Sequence, residues 1–376
     1  MEKDSVYDDL YKKLAVTPTG VPKGEKLLQI LRILFTPEEA ELAVILPFMP
    51  TPLSEIADAT GMDLESTGRA LSHMADKGLV YAAEEKGIPV FMLFGVSWTL
   101  FKFPLMNEVR GVDYQNLKRL CREFLAEDTL IGENTLNAEG KHVPIGRILP
   151  LQENLSSETE VLPQDLVYTY IDRAEHISVG ACSCRKIVGA CDAPKEVCMA
   201  FGYQAKYLVE RKMARLIDSN EAKRIHKMAG EAGLVSVTSN TRDEVGSICH
   251  CCACCCAQLG AATRHGRYDL VPKGAYIASI DQNDCTGCGS CFGRCPMNAI
   301  LAGDAGNDEK ACIDLEKCIG CGLCVSSCPE GALSLVQRAP LPDVPKDVVE
   351  WMDRAVETRG VKEEFLRELK VRRKEV

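Results

Sequence analysis

The chain has 376 residues, a length suited to roughly two or three domains. Hydrophobic residues make up 46 % and charged residues 26 %, enough apolar side chains for a buried core, which excludes a wholly disordered or fibrous protein. Against 54 Asp and Glu stand 44 Lys and Arg, and the formal charge of −10 repels phosphate backbones unless a local basic patch overrides it.

Residues 1–24 read as an acidic helical segment, with Glu2, Asp4, Asp8 and Asp9 and no apolar run of the kind a secretory signal needs. Glu25 to Phe35 and Pro37 to Leu46 place apolar residues at helical spacing, and Pro37 suits a first helical turn. Leu53 to Thr60 reads as a short helix ending at Gly61, and Asp63 caps a second helix that runs to Lys77 and closes at Gly78. Leu79 to Ala83, a turn over Glu84–Gly87 and Ile88 to Phe94 form a hairpin. Helix, turn, helix and hairpin together resemble a winged helix, and the domain is placed at residues 25–110. The second helix carries Asp63, Glu65 and Asp76 against Arg69 and Lys77, the wrong balance for reading DNA, so a protein-docking or homodimerisation module is expected. The longest apolar stretch, Val90 to Phe101, is too short for a membrane span.

Residues 111–170 read as a helical and loop linker, with an amphipathic helix over Tyr114 to Glu127 and loops over Asn137 to Pro163. Cys121, inside that helix, reads as a small buried apolar residue.

Cysteine is the outlier of the composition, with 20 in all, of which only Cys121 lies outside the span Cys182 to Cys328. Clustered thiols in a chain too long to need disulfide staples point to metal ligation in a reducing, cytoplasmic compartment. Residues 171–272 are expected to form a cysteine-rich α/β domain. A strand over Ile177 to Ala181 delivers Cys182 and Cys184; Cys191 and Cys198 follow, and then Cys249, Cys251, Cys252, Cys254, Cys255 and Cys256 crowd into eight positions. Helices over Gln204 to Ile217 and Ser219 to Ala232 separate the two groups. Neighbouring side chains of an extended chain point to opposite faces, so six thiols in eight positions suit a multinuclear site, or two sites approached from both sides. Ten thiolates suffice for one or two further iron–sulfur clusters; structural zinc and a redox-active dithiol are the alternatives. His250 is a ligand, a donor to a ligand or a structural residue, and Arg185 either compensates cluster charge, binds an anion or is a plain surface charge.

Two further runs are more specific. Cys285, Cys288, Cys291 and Cys295-Pro296 form one C-x2-C-x2-C-x3-C-P motif, and Cys318, Cys321, Cys324 and Cys328-Pro329 form the other. Three thiolates on a tight loop can take three corners of a [4Fe–4S] cube, while the fourth serves the other cube. The pair resembles the bacterial two-cluster ferredoxin, over about 276–336 within a domain placed at 273–340. That resemblance implies a duplicated βαβ-type fold in which a helix carries the fourth cysteine. It also implies one cluster on Cys285, Cys288, Cys291 and Cys328 and a second on Cys318, Cys321, Cys324 and Cys295. Cys312 lies outside both runs and reads as a bystander. Residues 341–376 form a charged helical tail.

The order of winged-helix-like start, C-x-C-R with C-x-C-C-x-C-C-C centre and two-cluster end resembles a family of iron–sulfur proteins of anaerobic bacteria and archaea. It implies cofactor and compartment but no substrate. The expectation is an α+β, cytoplasmic electron-transfer component of a larger oxidoreductase, with a flavoprotein or another iron–sulfur subunit as partner, since no Gly-rich nucleotide fingerprint is present. A reductase whose centre binds substrate and a redox- or iron-sensing regulator are the alternatives.

Overall fold

The computed structural model describes residues 2–106, 108, 111–127, 136, 137, 139–155, 165–303 and 310–372. Helices α1 (Glu2–Ala15), α2 (Glu25–Leu34) and α3 (Pro37–Ile45) open the chain. Thr36 starts α3 with a capping box: its hydroxyl accepts from the Glu39 amide at 3.2 Å while the Glu39 carboxylate accepts from the Thr36 amide at 2.9 Å. Strand β1 (Thr51–Pro52), α4 (Leu53–Thr60), α5 (Leu64–Asp76), β2 (Val80–Glu85) and β3 (Ile88–Leu93) follow, with the strands in the order β1-β3-β2, all antiparallel.

Two further helices, α6 (Val96–Phe101) and α7 (Tyr114–Glu127), complete this body. Leu117, Leu120, Cys121 and Phe124 of α7 share one core with Tyr7 and Leu10 of α1 and Leu27 and Ile30 of α2. The separate segment expected at 1–24 and the helical half of the linker expected at 111–170 are therefore parts of this core, because their apolar faces have no other place to be buried.

The second half of that expected linker is also structured, although residues 156–164, within the loops read over Asn137 to Pro163, lie outside the described residues. Strand β4 (Gly146–Leu149) is the edge of a six-stranded sheet. The remaining elements are α8 (Val167–Arg173), β5 (Ile177–Ala181), α9 (Ser183–Val188), β6 (Glu196–Phe201), α10 (Gly202–Glu210), β7 (Ala214–Ile217), α11 (Ser219–Glu231), β8 (Val235–Ser239), β9 (Ser247–Cys251) and α12 (Gly260–His265). The strand order is β4-β8-β9-β6-β5-β7, and every neighbouring pair is antiparallel, so the domain read as α/β lacks parallel crossovers. The single helix read over Gln204 to Ile217 is instead α10 followed by β7; Lys212, at φ +56°, turns the chain between them.

Gly180 on β5 marks where the first body meets this sheet. A Cβ there would lie 2.4 Å from the Met106 side chain and 2.9 Å from the Met213 carbonyl oxygen, so only glycine lets the segment after α6 lie so close.

The last domain pairs β10 (Tyr276–Ile280) with β13 (Leu333–Gln337) and β11 (Ile300–Ala302) with β12 (Ala311–Ile313). The helix expected to follow each fourth cysteine is absent among the described residues: a turn and then β11 or β13 come after it, and only three-residue 3-10 turns, Phe292–Arg294 and Val325–Ser327, come before it. Cys295 and Cys328 are extended, at ψ 111°, as the following prolines require. The tail forms α13 (Val348–Thr358) and α14 (Lys362–Glu368) and returns to the first body. There Phe365 stacks on Phe48, and Lys13 meets Glu368 at 2.7 Å with both groups buried.

Candidate metal centres

Strand β9 carries the alternation that divides the central thiols. Cys249 and Cys251 are two apart and share one face; His250 lies on the other. Beyond the strand the chain turns tightly, with the Cys256 amide donating to the Cys252 carbonyl at 3.0 Å, and this turn gathers Cys252, Cys254 and Cys255. Cys191, from the loop after α9, joins them. Its sulfur lies 3.6 Å from that of Cys252 and 3.9 Å from that of Cys255, while Cys254 and Cys255 are 3.8 Å apart. All four sulfurs lie within 4.8 Å of one another.

The other six thiols form a second group. Cys182 neighbours Cys184, Cys184 neighbours Cys256, Cys256 neighbours Cys251, Cys251 neighbours Cys249 and Cys249 neighbours Cys198. Cys182 also acts electrostatically on Cys198, which closes the sequence into a ring. Sharing a hydrogen with Cys198 and Cys251 holds the Cys249 thiol well below its ordinary pKa, and Cys184 and Cys251 do the same for Cys256. Lys102, just after α6, faces this ring. Burial opposes its charge, but the sulfurs of Cys198, Cys249, Cys184 and Cys182 outweigh burial and hold the ammonium above its usual pKa. Sequence reasoning missed Lys102; nothing near it in the chain signals a metal site.

Arg185 stands between the groups and is 1 % exposed. Its Nη1 donates to the His250 carbonyl at 3.0 Å and lies 3.6 Å from the Cys252 sulfur, while Nε and Nη2 are buried without a hydrogen-bond partner. Cys182, Cys252 and Cys251 raise its pKa against the opposing effect of burial. A buried guanidinium so placed suits the negative charge of metal-bound thiolates better than a diffusing anion.

The His250 ring turns away from the sulfurs. Its Nδ1 donates to the Val197 carbonyl at 2.7 Å, which leaves Nε2 to accept from Nδ1 of His226 on α11 at 3.1 Å. Both rings are buried, and burial followed by the neighbouring His250 pulls His226 down to about 3.

In the last domain, burial raises the Cys291 thiol, with Cys288, Cys285 and Cys328 adding to the rise. Burial likewise pushes Cys324 up to about 12, with help from Cys295 and Cys318, and raises Cys321 near Cys324, Cys295 and Cys318. Cys291 thus lies near Cys288, Cys285 and Cys328, and Cys321 near Cys324, Cys295 and Cys318. Cys295, Cys318, Cys321 and Cys324 line a small, partly open cavity with Ala278, Met297, Ile300 and Ile319. Gly320 is obligatory there: its φ is +78°, and a Cβ would overlap the Tyr276 carbonyl oxygen. Cys312 is exposed on β12, and Cys121 is buried in α7 with its thiol raised by burial alone.

The two sets of centres share one interior. Cys251 and Cys256 of the ring and Cys321 of the second ferredoxin set belong to a single buried cluster, against which Cys249 and Cys295 pack. Arg294 fastens the domains by donating to the carbonyls of Gly230 at 2.7 Å and Glu231 at 3.1 Å, at the end of α11.

A sequence profile of the 4Fe-4S dicluster domain matches residues 278–335. A search among curated proteins finds no match to the chain. The chain therefore carries a 4Fe-4S dicluster domain at its C-terminal end and, ahead of it, a separate cysteine cluster. No helix among the described residues is long and apolar enough to cross a membrane.

Proposed function

We propose that this protein transfers electrons between an external redox partner and a central cysteine-ligated centre, through two [4Fe–4S] clusters. The observation that carries this reading is the shared interior of Cys321 with Cys251 and Cys256. It orders the path. Cys288 is exposed, so the cluster on Cys285, Cys288, Cys291 and Cys328 faces the partner. The cluster on Cys318, Cys321, Cys324 and Cys295 passes electrons inward, and the six-thiol ring receives or supplies them. Lys102 and Arg185 offset the charge of the thiolates. The partner is a flavoprotein or another iron–sulfur protein, and the compartment is the reducing cytoplasm.

The N-terminal body is read as a winged-helix-like docking module. Its second helix is poorly placed to read DNA: Asp76 pairs with Arg211 at 2.6 Å, Arg69 pairs with Glu65, and Lys77 is buried against Glu39 at 2.6 Å.

A second reading, a reductase whose centre takes a substrate, has one observation in its favour. A cleft of about 570 Å³ with aromatic walls, including Tyr81, Phe94, Tyr207 and Trp351, lies between the first body, the sheet and the tail. Phe201 and Gly246, which line it, are each three residues from a ring thiol, Cys198 and Cys249, a separation of about 10 Å along β6 for the first pair.

The test is rapid mixing of the anaerobically purified full chain with a reduced low-potential donor. Reduction of the central centre is expected to follow that of the cubes, and to slow at least tenfold in Cys288→Ala, which lacks an intact entry cluster. Equal rates in the two proteins would sink the electron-transfer path.

A further inference from the structure

The ten central thiols divide by spacing, and the division has a chemical meaning. Four thiolates around one zinc ion sit at the corners of a tetrahedron with Zn–S bonds of about 2.3 Å, which sets neighbouring sulfurs about 3.8 Å apart. The separations among Cys191, Cys252, Cys254 and Cys255 are 3.6, 3.9 and 3.8 Å where they are closest, and no pair exceeds 4.8 Å. A cube spreads its four cysteines further, because each sulfur binds a different iron. The dicluster domain shows that contrast in the same molecule: among the described residues, no three of its eight cysteine sulfurs lie mutually within 4.8 Å. The six ring sulfurs likewise form no such compact group, although each meets the next.

We infer that Cys191, Cys252, Cys254 and Cys255 bind a single tetrahedral zinc ion, distinct from the iron–sulfur centre held by Cys182, Cys184, Cys198, Cys249, Cys251 and Cys256. Four thiolates on one divalent ion suit zinc or a lone iron, and zinc binds such a site more tightly than Fe²⁺ does. The four-thiolate zinc carries a net charge of −2, and Arg185, at 3.6 Å from the Cys252 sulfur, lies where it offsets part of that charge. Closed coordination by four protein ligands makes the ion structural. It pins the turn after β9 to the loop after α9, across 61 residues of sequence, and so fixes the positions of Cys251 and Cys256 on either side of that turn. This assignment rests on the iron–sulfur reading of the ring but is tested separately from it.

The experiment is metal analysis and zinc-edge X-ray absorption on the anaerobically purified full chain after exhaustive dialysis against a chelator. The expected result is about one zinc per chain, bound by four sulfurs at about 2.3 Å, with the iron of the other centres present beside it. Cys254→Ser alters the exposed ligand of the four. It is expected to lower retained zinc at least fivefold while the roughly eight irons of the two cubes are kept. Zinc absent, zinc with fewer than three sulfur ligands, or iron in its place overturns the assignment, and the wild-type spectrum decides this even where the variant fails to fold. Iron and sulfide contents report on the ring and the cubes independently. A chain with one zinc and only the iron of two cubes keeps the zinc site and removes the ring as an iron–sulfur centre.

Discussion

Arg185 holds its Nη1 3.6 Å from the sulfur of Cys252, and the carbonyl oxygen of His250, 3.0 Å from the same nitrogen, fixes the guanidinium there. The charge also acts on Cys182 and Cys251 of the ring, so it belongs electrostatically to both groups of thiols. Adding an electron to a thiolate-bound centre adds negative charge, which a nearby cation stabilises. Arg185→Gln is therefore expected to make the ring's midpoint potential more negative by roughly 50–150 mV, the effect of removing one charge several ångströms away at an effective dielectric near 20. Arg185→Lys keeps the charge and should recover most of the shift, as measured by a redox titration followed by electron paramagnetic resonance. An unchanged potential in Arg185→Gln would mean that the residue only fills space.

Cysteines of the dicluster domain should separate by iron count. Cys321 is buried beside Cys324, Cys295 and Cys318, and Cys321→Ala is expected to remove about four irons per chain, the content of one cube. Cys312 is exposed on β12 and lies outside both cysteine runs, and Cys312→Ser is expected to leave the iron count unchanged. Iron and sulfide assays on the two variants check both. Iron loss in Cys312→Ser would assign that thiol to a cluster.

The parts legible in the sequence were those fixed by local spacing. The two C-x2-C-x2-C-x3-C-P runs define their loops by themselves, and strand alternation alone sends neighbours such as His250 and Cys251 to opposite sides. Capping residue Asp63 marks a helix start for the same local reason: its carboxylate accepts from the amide three residues on. What could not be read depends on distant partners. Strand β4 is four residues flanked by Pro144 and Pro150, and it exists because β8 pairs with it. Arg147 on that strand is buried with Asp165 at 2.8 Å, Tyr170 at 2.7 Å and the Thr241 carbonyl at 3.2 Å, all distant in sequence. Lys102 reaches the ring from a segment about eighty residues before Cys182, and Cys191 finds Cys252 only in three dimensions.

The His226–His250 pair should make stability depend on acid. Unfolded His226 takes up a proton near pH 6.5, whereas burial and then the His250 ring hold the folded side chain neutral down to about 3. Between those values the unfolded chain binds more protons, so stability rises with pH through this window and is lost as pH falls from 6.5 toward 3. At pH 5 the loss from this one residue amounts to about 2 kcal/mol. Denaturant unfolding of wild type and His226→Gln between pH 7.5 and 5 measures it; the variant should show a flatter dependence, and parallel curves would refute the account.

The tail is held by a buried ion pair whose two partners are 355 residues apart, Lys13 on α1 and Glu368 on α14. Glu368 also pairs with the half-exposed Arg372, so removing the carboxylate strands the buried Lys13, whereas removing Lys13 and Glu368 together leaves an apolar contact and an Arg372 that water can solvate. Phe365 stacking on Phe48, and Arg359 donating to the Ala15 carbonyl at 2.9 Å, keep the helices together in either case. Glu368→Ala is thus expected to destabilise the first body by about 3 kcal/mol, and Lys13→Met with Glu368→Leu to recover most of that loss. Because α13 and α14 also wall the aromatic cleft through Trp351 and Phe365, the single variant should expose it, seen as increased binding of an apolar fluorescent dye. A single variant as stable as wild type, with no gain in dye binding, would show that the tail does not depend on the pair.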